Sequence, residues 1–341
     1  MPRYPGGLIR KTPVTPTGPF QNGAASGVWS LADAAYWTKQ GLWPIAGNIP
    51  TGTFAIFALG AAPGSASTTR NKYTYSGDTV SSATASANAS QYGAAAGTAT
   101  AGIFQLGGTG VARNKYTYSG DINATATSAT IATSFGSAAG NSTVGIFAIG
   151  GSSFPTCYTT TRNKYTYSGD VVSAGGAATV ATYGGSAAGT STVGIFALGA
   201  QATCIPITTR NKYTYSGDVV SAGGAATVSS FLGAATGNST TGIFALSRDG
   251  SYAETATRNK YTYSGCVVAS ATSASTAAYT GSAAGNSTVG IFALGYNTFI
   301  GTLTTRDKYT YSGDVNAVGG AATVANKEGA AASNGTTGVN M

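Results

Sequence analysis

A single short run of residues limits the possible folds more than anything else in this chain. Arg-Asn-Lys-Tyr-Thr-Tyr-Ser-Gly-Asp begins at Arg70 and returns almost unchanged at Arg113, Arg162, Arg210, Arg258 and Arg306, at spacings of 43, 49, 48, 48 and 48 residues. A second run, of the type Gly-Ile-Phe-Ala-Leu-Gly, precedes each copy, with Ile56, Ile103, Ile146, Ile195, Ile243 and Ile291 as its isoleucine. Between them lies a softer consensus, seen as GGAATVATYGGSAAGTSTV at 175–193. A self-similar period of this length restricts the fold to solenoids, propellers and related arrays.

The residues inside one period read as four short strands. GIFALG is apolar at consecutive positions, as in a strand covered on both faces. KYTYS alternates, placing Tyr73 and Tyr75 on one face and Lys72, Thr74 and Ser76 on the other. The Val-rich stretch after the Asp and the Ala-rich stretch before Asn-Ser-Thr supply two more. Asn-Ser-Thr at 141–143, 238–240 and 286–288 has the form of a glycosylation sequon, but reads better as turn chemistry leading into GIFALG. Composition agrees with this. Fifty glycines and 8% charged residues do not suit helical repeats, and 42% apolar residues do not suit charge-driven disorder. The glycines lack the three-residue period of collagen.

The two ends of the repeat region complement each other. The chain enters at TFAIFALG, residues 53–60, with no Ala-rich strand before it, and leaves through GAAASNGTTGV, which aligns with GSAAGNSTVGI at 281–291. A strand at 329–334 is therefore expected to pair with 54–60 and complete the first unit. The expected architecture is an all-β, six-bladed β-propeller over residues 51–341, closed by its N- and C-terminal strands. Closure removes the unpaired edges an open array would leave.

The order of small-residue strand, turn, GIFALG and KYTYS resembles the kelch-type propeller repeat, and GIFQLGG at 102–108 and GIFAIGG at 145–151 carry its double glycine. The TRNKYTYSGDVV and GNSTVGIFALG wording, over about residues 52–341, also resembles repeats in virion proteins of marine bacteriophages, including cyanophages. That likeness implies a tail or fibre-associated protein of the virion. Residues 26–44, SGVWSLADAAYWTKQGLWP, similarly resemble a segment recurring in phage tail-fibre and other virion proteins.

Residues 1–50 form a separate region, an arm holding Trp29, Trp37 and Trp43 and none of the repeat. Its first half is rich in Pro, Gly and Thr and reads as extended chain. SLADAAYWTKQG then offers one short helix, capped by Ser30, with Asp33 in its first turn and Gly41 ending it before Pro44. The tryptophans are candidate docking anchors, either onto the propeller or onto another virion protein.

The net charge of +8 invites a nucleic-acid reading, but twelve of the 18 basic residues are the motif pairs. These are Arg70 and Lys72, Arg113 and Lys115, Arg162 and Lys164, Arg210 and Lys212, Arg258 and Lys260, and Arg306 and Lys308. Spread around a ring, they are expected to tie strand ends or adjacent blades, with Asp78, Asp121, Asp170, Asp218 and Asp314 as the arginines' partners. A positive ring attracting an acidic host polysaccharide is the functional alternative. No base-reading module accompanies the charge. The motif tyrosines are expected to pack between blades.

Enzyme readings find little support. With no histidine, the ligands of a copper oxidase are missing. The arginine cluster and tryptophan-bearing Asp-boxes of sialidase propellers are absent too. Asp249 and Glu254, in the SRDGSYAETA loop, are the one carboxylate pair to consider for glycoside hydrolysis. No cofactor is expected, and Cys157, Cys204 and Cys266 read as free thiols. No secretory h-region and no apolar run of about 18 residues is found, so the expectation is synthesis in a host cytoplasm, assembly with other virion subunits and no membrane insertion. Two functional classes remain: a non-enzymatic virion component serving assembly or host attachment, and a free-standing adhesin or lectin-like propeller.

Overall fold

The computed structural model describes residues 52–335 except 59, 63–64, 154–156 and 202–204, together with Ser30, Ala32, Asp33 and Tyr36. The chain divides into two units, Met1–Thr51 and Gly52–Met341. In the first, Ala32, Asp33 and Tyr36 are helical, and the Ser30 hydroxyl accepts the Asp33 N–H at 3.1 Å, the expected cap. Trp29, Trp37, Trp43 and Gly41 lie outside the described residues.

The second unit is a six-bladed β-propeller of four-stranded antiparallel sheets. Blade two shows the plan. Its inner strand Ala94–Gly97 pairs with Ala101–Gln105, which pairs with Arg113–Thr117, which pairs with the outer strand Ile122–Ala126. Blades three to six repeat this order from inner strands Ser137–Gly140, Ser186–Gly189, Ala234–Gly237 and Ser282–Gly285. Blade one is assembled from both ends of the repeat region. Its inner strand, Ala330–Ser333, pairs with Phe54–Ala58 in the register Ala55 to Ser333 through Ala58 to Ala330. The complementary ends therefore close the ring as the sequence implies.

Small residues at the hub let six inner strands meet around one axis, and their alanines are fully buried at Ala95, Ala139, Ala188, Ala235, Ala284 and Ala332. The isoleucine and phenylalanine of each GIFA strand are buried on opposite faces, against the blades on either side, as Ile146 and Phe147 illustrate. Each such side chain contributes about 1.5–3 kcal/mol as an upper estimate. In five blades a glycine precedes them, in close contact with a motif tyrosine, and in blade one Ala55 takes its place. A Cβ at Gly145 would sit 2.8 Å from the Tyr167 hydroxyl.

The two ends of the ring differ. At one end, the first and second strands join through tight turns. Asn141, Asn238 and Asn286 each accept two backbone N–H groups there, at residues two and three further on, all at 2.9 Å. Thr98 and Thr190 do the same with a hydroxyl, so the sequon is indeed turn chemistry. The Ser-Gly-Asp turns share this end, and they need a left-handed glycine, φ 79° at Gly77. The opposite end carries the segments joining second to third strands and blade to blade. Of the cysteines, Cys266 is free, Cys204 lies outside the described residues, and for Cys157 only the backbone is described. No helix among the described residues is long and apolar enough to cross a membrane.

Candidate functional site

The six motif arginines are interior groups. Arg70, Arg113, Arg162, Arg210, Arg258 and Arg306 are at most 1% exposed. Each guanidinium lies over the phenylalanine of the next blade's GIF strand, 4.4–4.7 Å from the ring centre. Each also donates to the next blade's motif side chain. Arg162 reaches Asn211 at 3.1 Å, and Arg258 reaches Asp307 at 2.8 Å in a fully buried ion pair. Burial lowers Arg70, Arg113, Arg162, Arg210 and Arg306 from 12.5 to about 10.

This corrects the expected arginine–aspartate pairing. The aspartates accept instead from the tyrosine five residues before them, as Tyr165 does to Asp170 at 2.7 Å and Tyr213 to Asp218 at 2.6 Å. Where a lysine joins them it comes from the preceding blade. Lys115 meets Asp170 at 3.1 Å, Lys164 meets Asp218 at 2.8 Å and Lys308 meets Asp78 at 2.9 Å. Burial would raise the carboxyls of Asp170 and Asp218, but the tyrosine and lysine bonds outweigh it and hold both below the ordinary value. Lys72 lies over Phe54 at 4.2 Å, and Lys212 and Lys260 are half-buried. A surface ring of motif arginines therefore does not exist, and with it goes the arginine half of the anion-attracting ring. Tyr73 and Tyr75 are buried and pack against the sixth blade's strands, as inter-blade packing requires.

The Asp249–Glu254 pair is likewise committed to loop structure. Asp249 accepts from the backbone of Ser251 and Ala253 and from the Ser251 hydroxyl. Those bonds from Ser251 lower its pKa. Glu254 reaches across to the sixth blade, accepting from Asn297 and from the Thr298 N–H at 2.9 Å each.

What sequence reasoning missed is a ring at the other end of the axis. The residue before the glycine that opens each inner strand is Tyr92, Phe135, Gly184, Leu232, Thr280 or Glu328. All six have positive φ, from 54° to 62°. Their backbones close a circle, each N–H donating to the equivalent carbonyl of the preceding blade at 2.7–3.0 Å. For the five that are not glycine, this conformation costs of order 1–3 kcal/mol each. The next residue is glycine every time, and at Gly93, Gly136, Gly185, Gly233 and Gly281 a Cβ would lie 2.2–2.7 Å from the carbonyl ending the second strand. The signal in sequence was variability. The motifs repeat, whereas these six positions hold six different residues.

The ring lines a small, shallow axial dish of about 40 Å³. Around it, aromatic contacts run from Tyr92 to Phe135, Tyr183, Phe231 and Tyr252, with Tyr158 stacked on Tyr183 at 5.1 Å. On the remaining arc, Arg248 lies 3.7 Å over Tyr279, and Lys327 pairs with the buried Glu328 at 2.9 Å. Burial first, then the charge and hydrogen bond of Glu328, push the Tyr92 phenol up to about 12. The segments 59–69, 106–112, 149–161, 198–209, 246–257 and 294–305, all of this end, differ from blade to blade. They expose Phe299 (95%), Ile300, Ile205 and Tyr252. Among the described residues, no group of three or more His, Cys, Asp or Glu could hold a metal ion.

Fold and site together define a six-bladed propeller with a closed, repetitive frame and one diversified end. The solved structure titled "Structure of YjhT" is similar in fold: TM-score 0.56 at 10% identity, covering 71% of this chain and 87% of that one. At that identity the likeness concerns the fold alone. No family model matches the chain, and no curated protein matches it.

Proposed function

We propose that this protein is a non-enzymatic attachment propeller, a tail or fibre-associated component of a bacteriophage particle. Its diversified end meets the host surface and its N-terminal arm joins it to other virion proteins. One observation carries the reading: blade-to-blade differences concentrate at the loop end, where bulky side chains stand in a strained conformation around the axis. The likeness of the repeat wording and of residues 26–44 to phage virion proteins supports the location. The kelch likeness of the repeat order agrees with the fold but adds no partner.

In the arm, Trp29, Trp37 and Trp43 are the proposed anchors. Host polysaccharide is the proposed partner at the loop end. The test is immunogold labelling of purified particles together with adsorption of the isolated protein to host cells. Labelled particles and adsorbing protein support the reading; unlabelled particles refute the virion location. The second reading, a free-standing lectin-like propeller, is favoured by the aromatic arc of the loop end, and it predicts adsorption without labelled particles.

A further inference from the structure

At the loop end, one position sets two blades apart from the rest. There the segment entering each inner strand makes a backbone bridge to the segment joining second and third strands. The residue met is small in blades one to four, Ala61, Gly107, Gly151 and Ala200, but it is Arg248 in blade five and Tyr296 in blade six. The large side chains build a row. The Arg248 guanidinium lies 3.7 Å over the Tyr279 ring, Tyr279 meets Tyr296 edge-on at 5.4 Å, and the Lys327 ammonium lies 5.3 Å over Tyr296. Arg248 differs from the motif arginines in what its terminal nitrogens do. A motif arginine such as Arg162 is 1% exposed and donates to the next blade. Arg248 is partly exposed, and its guanidinium makes no hydrogen bond or ion pair among the described residues. Its Nε is buried, which leaves the terminal nitrogens as the accessible donors. The nearby carboxylates are engaged elsewhere. Asp249 collects donors within its own turn, Glu254 takes those of Asn297 and Thr298, and Glu328 pairs with Lys327.

We propose that Arg248 anchors a surface site for an oxyanion carried on a sugar, the carboxylate or phosphate of an acidic surface glycan. Its two terminal nitrogens take two oxygens of that group side by side, a match of shape and charge that a neutral hydroxyl does not offer. The fork is held ready for this. Stacking on Tyr279 fixes the guanidinium plane. The backbone bridge from Arg248 to Glu254, whose carboxylate is bonded to blade six, fixes the loop. A donor already ordered loses little freedom on binding. Lys327 adds little charge, being paired with Glu328, so Arg248 carries the selectivity. The neighbouring tyrosines favour a sugar over an acidic peptide, because a phenol offers an apolar ring to C–H groups and a hydroxyl to the sugar's rim. The contact is made on an open surface and requires no cavity.

The inference rests on the attachment reading, but the two fail separately. Saturation-transfer NMR titrations of the full chain would use two charged probes, trigalacturonic acid and glucose 6-phosphate. Their uncharged counterparts are the methyl-esterified trisaccharide and glucose. At least one charged probe should bind, and its counterpart should bind about tenfold more weakly, the size expected for losing charge-assisted hydrogen bonds. Trigalacturonate alone would assign the site to a carboxylate, glucose 6-phosphate alone to a phosphate. Arg248→Ala should weaken binding by about tenfold and still melt cooperatively, since blades one and four carry alanine at this position. Arg248→Lys keeps the charge without the fork and should also weaken it. Lys164→Ala, which removes a charge from the turn end, should leave binding unchanged. Failure of both acids to bind overturns the proposal, as does equal binding by the uncharged probes or by Arg248→Ala. A loss in Lys164→Ala equal to that in Arg248→Ala overturns it too, because net charge would then explain the binding. Tighter binding of a triglutamate peptide overturns the sugar. Protein that adsorbs to host cells yet takes neither acid overturns this site and leaves attachment standing. Protein that takes an acid but never adsorbs supports the site and overturns attachment.

Discussion

The two ends of the propeller solve different problems with the same backbone plan. At the turn end, nearly every residue repeats, because each does a job that all six blades need. Asn or Thr caps the hairpin, glycine takes the left-handed turn, and aspartate collects a tyrosine and, at Asp78, Asp170 and Asp218, a neighbouring lysine. At the loop end only the backbone repeats. The circle of N–H to carbonyl bonds through Tyr92, Phe135, Gly184, Leu232, Thr280 and Glu328 asks nothing of the side chains, so these can differ. The difference teaches where identity is structural: a side chain recurs where it bonds the next blade and diverges where the main chain does the bonding.

The harshest way to break the comparison is to remove the closure. Deleting residues 329–341 takes away the inner strand of blade one and leaves Phe54–Ala58 without its partner. Two sheet edges open, and aggregation with loss of the cooperative melt should follow in size-exclusion and circular-dichroism traces. A truncated chain melting like wild type would contradict ring closure.

Next in size is a contrast within the repeated motif. Arg258→Ala strands Asp307 as a fully buried, unpaired charge and should cost about 3–5 kcal/mol in urea unfolding. Lys164→Ala removes a partly exposed pair with Asp218 of the next blade and should cost no more than ~1 kcal/mol. Equal costs would mean the buried arginine layer is not what holds the blades together.

Alkaline pH tests the same layer. Burial raises Tyr118, Tyr215 and Tyr263 well above the ordinary value of 10, and burial with the aspartate hydrogen bonds raises Tyr73, Tyr165 and Tyr213. For these groups the folded pKa exceeds the unfolded one. Their stabilising contribution is complete below pH 10 and is lost as pH rises from 10 through the folded values. The buried arginines, lowered to about 10, would act in the opposite sense. A guanidinium resists deprotonation, so the tyrosines set the outcome. Urea midpoints should hold level up to about pH 10 and then fall; a midpoint rising above pH 10 would reverse that assignment.

The smallest change sharpens the comparison by repairing it. Cys266 stands where the other blades have aspartate, at φ 55°, facing Tyr261. Asp tolerates that backbone better, and it would accept from Tyr261 and pair with Lys212. Cys266→Asp should stabilise by ~1 kcal/mol, measured by thermal melting with reductant present; a loss of stability would show that the blades are not equivalent there.

Much of the frame was legible from residues. The period, the two complementary ends and the Asn-Ser-Thr turns are local or internal comparisons, which a sequence displays directly. The arginines were legible as ties between adjacent blades, but their partners were not, because the aspartate eight residues later is the nearest opposite charge in the sequence. Only the ring geometry places Asn211, rather than Asp170, beside Arg162. The axial circle was hidden for another reason. A left-handed tyrosine, phenylalanine or leucine carries no turn signature, and its hydrogen-bond partner lies one blade away at a different point of the chain.

The division between frame and binding end is tested most directly by altering the loop end alone. Segments 149–161, 198–209, 246–257 and 294–305 would each be replaced by the short 106–112 sequence, with melting and host-cell adsorption measured on the same preparation. The account predicts a cooperative melt close to wild type and adsorption lost. Adsorption that survives the replacement, carried by a still-folded ring, would contradict it.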